Sequence, residues 1–322
     1  MESGNLITKR RETLREVAKA IVGKDDVIVR VFMTILARGH ILIEDIPGVG
    51  KTTMAIAFSK AMSLEYNRVQ FTPDVLPSDI TGFSMLDNEK NTMEYTPGAV
   101  MCNLFLADEL NRANSRTQSA LLEAMEEGQV TVDGVSHVIK QPFIVIATQN
   151  PVGAAGTQLL PDSQLDRFMT RVNLGYPAHS DEIALLERKK GKNLLELVEP
   201  VLNSNELEQM REEVDKVFVD TEILGYIVNI ATQTRNNPYL TLGASPRASL
   251  AIVAMAKAAA YLQGRDYVVP KDVVHVLDDT LSHRLILRPG AENENMTTTR
   301  ILQQITSAIA GPQISKAAKS KD

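Results

Sequence analysis

Pro47-Gly-Val-Gly50-Lys51-Thr52 has the parts of a phosphate-binding loop. Glycines let backbone N–H groups turn inward, and a helix starting near Lys51 would aim its positive end at an anion. The Lys51 ammonium would reach terminal phosphate oxygens, and the Thr52 hydroxyl would ligate Mg²⁺. The pattern G-x-x-x-x-G-K-[ST] is met at Gly50, Lys51 and Thr52, but Asp45 stands where its first glycine belongs. A second group, Leu104-Phe-Leu-Ala-Asp108-Glu109, is an apolar run ending in two carboxylates. At the C-terminal end of a buried parallel strand, Asp108 could hold Mg²⁺, directly or through water. Glu109 could orient and polarise an attacking water; both acids could equally open the next helix. Asn150 follows Thr148 and Gln149 at the end of another apolar run. Its amide could reach a terminal phosphate or the water, or could make an Asx turn into Pro151. Leu165-Asp166-Arg167-Phe168, with Arg171 beyond it, supplies cations. Charge building on a transferring phosphoryl group calls for an arginine, and the phosphate loop has none. Arg167 could serve from within the chain or from a neighbouring subunit, or could form a surface ion pair with Asp166 or Glu126. Arg247 sits two residues after Ser245. It could report the nucleotide state to a second domain, or be an exposed helix charge.

Such groups act together only if strands and helices bring them to one edge. Residues 6–21 have apolar positions at helical spacing, and Val22-Gly23-Lys24-Asp25 breaks that helix before a second one through Ala37. Ile41-Leu-Ile43 reads as a buried strand entering the glycine turn, with a helix after it. Val69-Gln-Phe71, Leu104–Ala107, Phe143–Ala147 and Met169–Leu174 read as further strands, with a helix over Ser115–Glu126 between two of them. Near-continuous apolar strands alternating with helices indicate an α/β fold: a parallel sheet covered on both faces. Residues 129–140 alternate around Asp133-Gly134, which predicts a β-hairpin. Beyond Tyr176-Pro177 the patterns are helical, near 180–190, 205–217, 221–235, 246–263 and 270–281, with no convincing strand between them. Ser245-Pro246 is a helix start, with serine as cap and proline in the first turn. The expected division is an α/β domain over 1–177 and a smaller all-helical domain over 178–322, ending in a short polar tail from Lys316.

Composition narrows the reading. The chain has 322 residues, 44% apolar and 23% charged, which is typical of a globular protein. Thirty-four Lys and Arg against 40 Asp and Glu give a net charge of −6, and aromatics are 5% with no Trp. Bulk-charge binding to nucleic acid and base-stacking platforms are therefore disfavoured. One cysteine, Cys102, excludes an intramolecular disulfide and a four-cysteine zinc site, and it reads as a small core residue. The histidines show no metal spacing. No apolar run approaches the roughly 20 residues that span a bilayer, and no export signal opens the chain, so a cytoplasmic location is expected. Nothing resembles the Asn-Lys-x-Asp element that reads guanine.

Taken in order, Lys51-Thr52, Asp108-Glu109, Asn150, Arg167 and Arg247 resemble the Walker A, Walker B, sensor 1, arginine finger and sensor 2 of AAA+ ATPases. The wording resembles the MoxR family in particular. The stretches that carry the likeness are Ile41–Thr52, including the Asp at 45, Leu106-Ala-Asp-Glu-Leu-Asn-Arg-Ala113 and Gln118–Glu126. Ala147-Thr-Gln-Asn-Pro151, Leu165-Asp-Arg-Phe168 and Gly243-Ala-Ser-Pro-Arg247 add to it, and it runs from about residue 6 to 290. The resemblance implies a P-loop core with a helical lid, hydrolysing Mg-ATP. It places nucleotide contacts at Val22, Gly23, Pro47, Gly48, Val49, Gly50, Lys51, Thr52 and Thr53, with Val22-Gly23 against adenine, and Mg²⁺ at Thr52 and Asp108. Residues 80–100 correspond to a helix-2 insert, and 129–140 to a hairpin before sensor 1. A homo-oligomeric ring, usually hexameric, is implied, with Arg167 acting on the neighbour's nucleotide and Arg247 acting in cis or in trans. A protein client is implied, often with a partner bearing a von Willebrand factor A domain. The alternatives are a nucleic-acid motor related to MCM and McrB, and an ATP-gated scaffold with little turnover.

Overall fold

The computed structural model describes residues 2–89, 91–150, 160–188 and 193–312. Its contacts divide the chain into two compact units, Met1–Arg211 and Glu212–Asp322.

The first unit opens with α1 (Glu2–Ala20) and α2 (Asp25–Leu36), then β1 (Ile41–Glu44), α3 (Lys51–Ala61), β2 (Tyr66–Gln70) and a short α4 (Pro77–Thr81). A hairpin of β3 (Gly82–Asp87) and β4 (Thr92–Pro97) leads to β5 (Leu104–Asp108) and α5 (Ser115–Glu127). A second hairpin, β6 (Gln129–Val132) and β7 (Val135–Val138), leads to β8 (Ile144–Gln149). The short α6 (Asp162–Leu165), β9 (Thr170–Val172), α7 (His179–Arg188) and most of α8 (Ser204–Asp215) complete it.

The central sheet has the order β2-β5-β8-β1-β9, and every neighbouring pair is parallel. All residues of β5 and β8 are buried, as their unbroken apolar runs require of strands covered on both faces. Leu42, Phe105, Ala107, Val145, Ala147 and Phe168 share one core with Leu121 and Leu122 of α5. The Asn114 side chain caps α5 by accepting from Thr117 N at 3.0 Å, and Gly128 ends it in a left-handed turn. His40, just before β1, bridges elements: its Nδ1 accepts from Val145 N at 3.0 Å, so its Nε2 carries the hydrogen and donates to Met125 O at 3.1 Å. Burial lowers the His40 pKa to about 4, keeping the ring neutral in this role.

The β6–β7 turn is the expected one, with Asp133 (φ 49°) and Gly134 (φ 80°) both left-handed. The segment assigned to a helix-2 insert forms the β3–β4 hairpin. Its base is a close crossing: a Cβ on Gly98 would collide with Ile80 O and Gly82 N. The two hairpins meet where the Tyr95 and His137 rings stack, centroids 3.6 Å apart and planes 13° apart.

The second unit contains α9 (Thr221–Arg235), β10 (Leu240–Leu242), α10 (Pro246–Leu262), α11 (Pro270–Leu281), β11 (Ile286–Leu287) and α12 (Thr298–Ala308). It is helical but not purely so, because β10 and β11 pair antiparallel. Strands of three and two residues are too short to show an alternating pattern, so the expectation of an all-helical domain needs this correction. Ser245 caps α10 as expected, its hydroxyl accepting from Ala248 N at 3.2 Å.

The units divide later than the expected 177/178. Backbone and side-chain bonds hold residues 193–211 to the first unit: Val201 N and Leu202 N donate to Ala61 O at 2.8 and 3.0 Å, and Lys60 Nζ donates to Leu195 O at 2.9 Å. The buried Arg211 donates from Nε to Ile35 O at 2.9 Å. Pro151, the end of the helix expected to Lys190 and the tail from Lys316 lie outside the described residues.

Candidate active site

Placing β8 between β1 and β5 sets three strand ends side by side. They deliver the phosphate loop, Asp108-Glu109 and Asn150 to one edge, where ligands bind in open parallel sheets. Lys51 is the first residue of α3 and is buried. Its Nζ donates to Asp45 O at 2.5 Å and to Asn150 Oδ1 at 2.9 Å. Asn150 Nδ2 in turn donates to Glu109 Oε1 at 3.0 Å. Burial pushes the Lys51 pKa down, opposed by the charges of Asp108, Asp45 and Glu109.

Thr148 sits beneath the acidic pair, fully buried. Its Oγ1 donates to Asp108 Oδ1 at 2.6 Å and accepts from Glu109 N at 2.8 Å. Glu109 is left-handed (φ 56°, ψ 45°), an uncommon conformation for a residue with a side chain. Arg112 Nη1 donates to Glu109 Oε2 at 2.7 Å. That bond, foremost, holds the Glu109 carboxyl below its ordinary range; burial opposes it and the Asn150 bond assists. Arg68 reaches along β2 to Asp108 Oδ2, at 2.7 Å from Nη2 and 3.2 Å from Nε.

The loop fits a polyphosphate. Gly48 (φ 88°) and Gly50 (φ 101°) are left-handed, and a Cβ on Gly48 would meet nothing within 4 Å, which leaves an open cradle before α3. Beside it is a cavity of about 440 Å³, lined among others by Val22, Pro47, Gly48, Val49, Gly50 and Thr53. Tyr176, Pro177, Leu185 and Ile21 also line it. An apolar slot next to a phosphate loop suits a nucleotide base. Gly23 does not line the cavity; it sits so close to Asp181 that a Cβ there would collide with that side chain. The donors expected for Mg²⁺, the Thr52 hydroxyl and the Asp108 carboxylate, are hard oxygens few in number. That suits an ion which keeps waters and phosphate oxygens as its other ligands. Among the described residues no three or more His, Cys, Asp or Glu cluster as a metal site.

Residues 40–170 match the family described as "ATPase family associated with various cellular activities (AAA)", and residues 232–305 match "AAA lid domain". The protein named Chaperone MoxR1 of Mycobacterium tuberculosis is 35% identical over 312 residues, covering 93% of this chain and 81% of that protein. This chain belongs to the MoxR family of AAA+ ATPases. Protein YeaC of Bacillus subtilis is 44% identical over 301 residues, 94% of each chain. The crystal structure of a candidate ATPase from Cytophaga hutchinsonii superposes with a TM-score of 0.89 at 37% identity, covering 96% of both chains. An MCM homolog from Methanopyrus kandleri shares the fold alone, with a TM-score of 0.60 at 18% identity over 88% of this chain and 61% of that one.

As a MoxR-family ATPase the chain binds ATP and hydrolyses it. Its first unit brings together Lys51, Asp108, Glu109 and Asn150, while Arg167, in the same unit, is engaged elsewhere. Arg167 is ion-paired with Glu126 of α5 and donates to Leu122 O at 3.3 Å. It lines a separate cavity of about 250 Å³ with Ser119 and Gln164. Arg247 is exposed in the first turn of α10, in the second unit. Three contributors escaped sequence reasoning: Arg68, Arg112 and the role of Asp45. The Asp45 carboxylate accepts from Ile46 N at 2.8 Å and from Gly175 N at 2.5 Å. It ties the start of the phosphate loop to the segment before Tyr176-Pro177, where a first glycine could not. Arg112 had a legible signal, an arginine three residues beyond Glu109; Arg68 had none without the β2–β5 register. No helix among the described residues is long and apolar enough to cross a membrane. Cys102 is a core residue, its thiol pushed up to about 12 by burial.

Proposed function

We propose that the Lys51–Asn150–Glu109 chain of hydrogen bonds is the hydrolytic centre of this MoxR ATPase, working in a ring of identical subunits on a protein client. The observation that carries the proposal is the amide of Asn150, which touches the phosphate-loop lysine with one atom and Glu109 with the other. Lys51 and the α3 N-terminus bind the terminal phosphates. Glu109 accepts a proton from the attacking water, and Asn150 orients both. Thr52 and Asp108 would hold Mg²⁺, which neutralises charge on the phosphate oxygens. Val22 and the Tyr176-Pro177 wall take the adenine.

Among the described residues no arginine lines the phosphate-loop cavity. Arg167 is paired with Glu126 and lines a separate cavity, which favours action on a neighbouring subunit's nucleotide. Arg247 reports nucleotide state from the second unit. The M. tuberculosis relative's name, Chaperone MoxR1, supports a chaperone-like role. Client remodelling, aided by a partner with a von Willebrand factor A domain, is the reading to test.

The deciding experiment combines ATP hydrolysis with light scattering on wild type, Glu109→Gln, Lys51→Ala and Arg167→Ala. Glu109→Gln should bind ATP, hold a ring of about six subunits and lose most turnover. Mixing Lys51→Ala with Arg167→Ala should restore part of the activity that each lacks alone. A monomer with ATP bound, or full turnover in Glu109→Gln, would sink the proposal. Retention of a von Willebrand factor A domain partner by ATP-loaded Glu109→Gln, but not by Lys51→Ala, would support the client reading.

A further inference from the structure

Asn111 is a buried polar side chain that takes no direct part in the Lys51–Asn150–Glu109 chain of hydrogen bonds. It sits in a single 3₁₀ turn, Leu110–Arg112, just beyond Glu109. That turn is fastened along its length. Arg112 N donates to Glu109 O at 2.9 Å, and Ala113 N to Leu110 O at 3.1 Å. The buried Gln118 side chain of α5 spans it, donating from Nε2 to Leu110 O at 3.2 Å and to Ala113 O at 3.1 Å. The turn therefore has little freedom to move.

From this mount Asn111 Nδ2 donates to Asn150 O at 3.3 Å. The Asn150 carbonyl lies where sheet pairing has run out. The ladder from β8 to β5 ends at Ala147, and the ladder to β1 ends at Gln149, whose carbonyl accepts from Asp45 N at 3.2 Å. A buried carbonyl past the end of a strand needs a donor from elsewhere, and Asn111 supplies it. The residue so anchored is the one whose own amide must lie between Lys51 and Glu109. Rotation of its main chain would carry both amide atoms off their partners.

Asn111 also has a cost. Its Oδ1 is buried and has no hydrogen-bond partner among the described residues. A buried acceptor left unpaired is destabilising, and an apolar side chain of similar size would avoid that. Packing alone gives asparagine no advantage at this position; the contact made by its other amide atom does.

We propose that Asn111 is a positioning residue: by holding the carbonyl of Asn150 it sets the Asn150 amide between Lys51 and Glu109 in the geometry that hydrolysis needs, at the expense of stability.

This inference rests on Asn150 acting in hydrolysis, and the experiment separates the two ideas. ATP hydrolysis and thermal melting are measured on the full chain as wild type, Asn111→Leu, Asn111→Met, Asn150→Ala and Asn111→Leu combined with Asn150→Ala. Each apolar variant at 111 should lower kcat about tenfold, equivalent to about 1.4 kcal/mol, with KM for ATP unchanged. Its Tm should equal or exceed that of wild type, whereas a residue that only supports the fold would lower Tm and kcat together. In the Asn150→Ala background, Asn111→Leu should have no further effect on kcat, because the group it positions is gone. Additive losses, a wild-type kcat in the single variants, or a Tm lowered in both of them would overturn the positioning role and leave Asn150 in place. A wild-type kcat in Asn150→Ala would remove both ideas. Should Asn111→Leu fail to fold, the unbranched and adaptable methionine carries the same comparison, alone and with Asn150→Ala.

Discussion

Replacing Thr148 by valine tests whether one buried hydroxyl sets the geometry of both the Asp108 and Glu109 carboxylates. Valine matches threonine in shape, so packing in β8 is nearly preserved. The Oγ1 atom, however, makes two bonds, one to Asp108 Oδ1 at 2.6 Å and one from Glu109 N at 2.8 Å. Losing a bond to a charged carboxylate costs about 1.5–3 kcal/mol, and stranding a buried N–H costs about 1–3 kcal/mol. The two losses share a site and will not add fully, so about 3 kcal/mol is expected. In a unit of this size each kcal/mol lowers Tm by roughly 2–4 °C, which gives a fall of about 6–12 °C. Thr148→Ser keeps the hydroxyl and loses one methyl, costing about 1 kcal/mol. Urea denaturation followed by circular dichroism measures both variants, and ATP hydrolysis is run alongside. Thr148→Val should lose kcat far more than Thr148→Ser, because only valine frees Asp108 and Glu109 from a common anchor. A valine variant within 1 kcal/mol of wild type, or a serine variant as damaged as the valine one, would refute the reasoning.

Asp45→Gly restores the general phosphate-loop pattern but removes the bond to Gly175 N. It should cost about 1–3 kcal/mol and raise KM for ATP by loosening the Tyr176-Pro177 wall, as read by denaturation and kinetics. His40 has a pKa lowered from 6.5 to about 4, so the unfolded chain binds the extra proton first as pH falls. Its stability contribution is full above pH 6.5 and lost towards pH 4, about 2 kcal/mol of it between pH 7 and pH 5; His40→Gln should flatten the denaturation profile by that amount. Gly243→Ala should destabilise the second unit by about 1–3 kcal/mol in thermal melts, because its Cβ would lie 2.5 Å from Arg235 N and 2.6 Å from Arg235 Cα.

Much of this molecule is legible in its sequence, for reasons that differ by element. β1, β5 and β8 announce themselves because burial on both faces demands unbroken apolar runs. Helices α9 and α11 begin and end where their helical patterns put them. Asp108, Glu109 and Asn150 could be singled out because polar groups ending such runs must lie at the sheet edge. What stayed hidden depends on contacts between distant segments. Arg68 reaches Asp108 only because β2 lies beside β5. Asp45 looked like a departure from a pattern until Gly175 N supplied its partner. The β10–β11 ribbon is too short to carry periodicity, and the late division at 211/212 follows from backbone bonds to Ala61 that no composition shift marks.

The stacked rings of Tyr95 and His137 have a mechanical consequence. Tyr95 lies on the hairpin that runs on through Gly98 into β5, and His137 on the hairpin that runs on into β8. Those two strands carry Asp108 and Gln149 at their far ends, just before Glu109 and Asn150. A load on either hairpin tip therefore has two parallel struts through the sheet. The aromatic clasp shares it between them, so the acid pair and the amide are displaced together, and their spacing is kept while the whole edge moves.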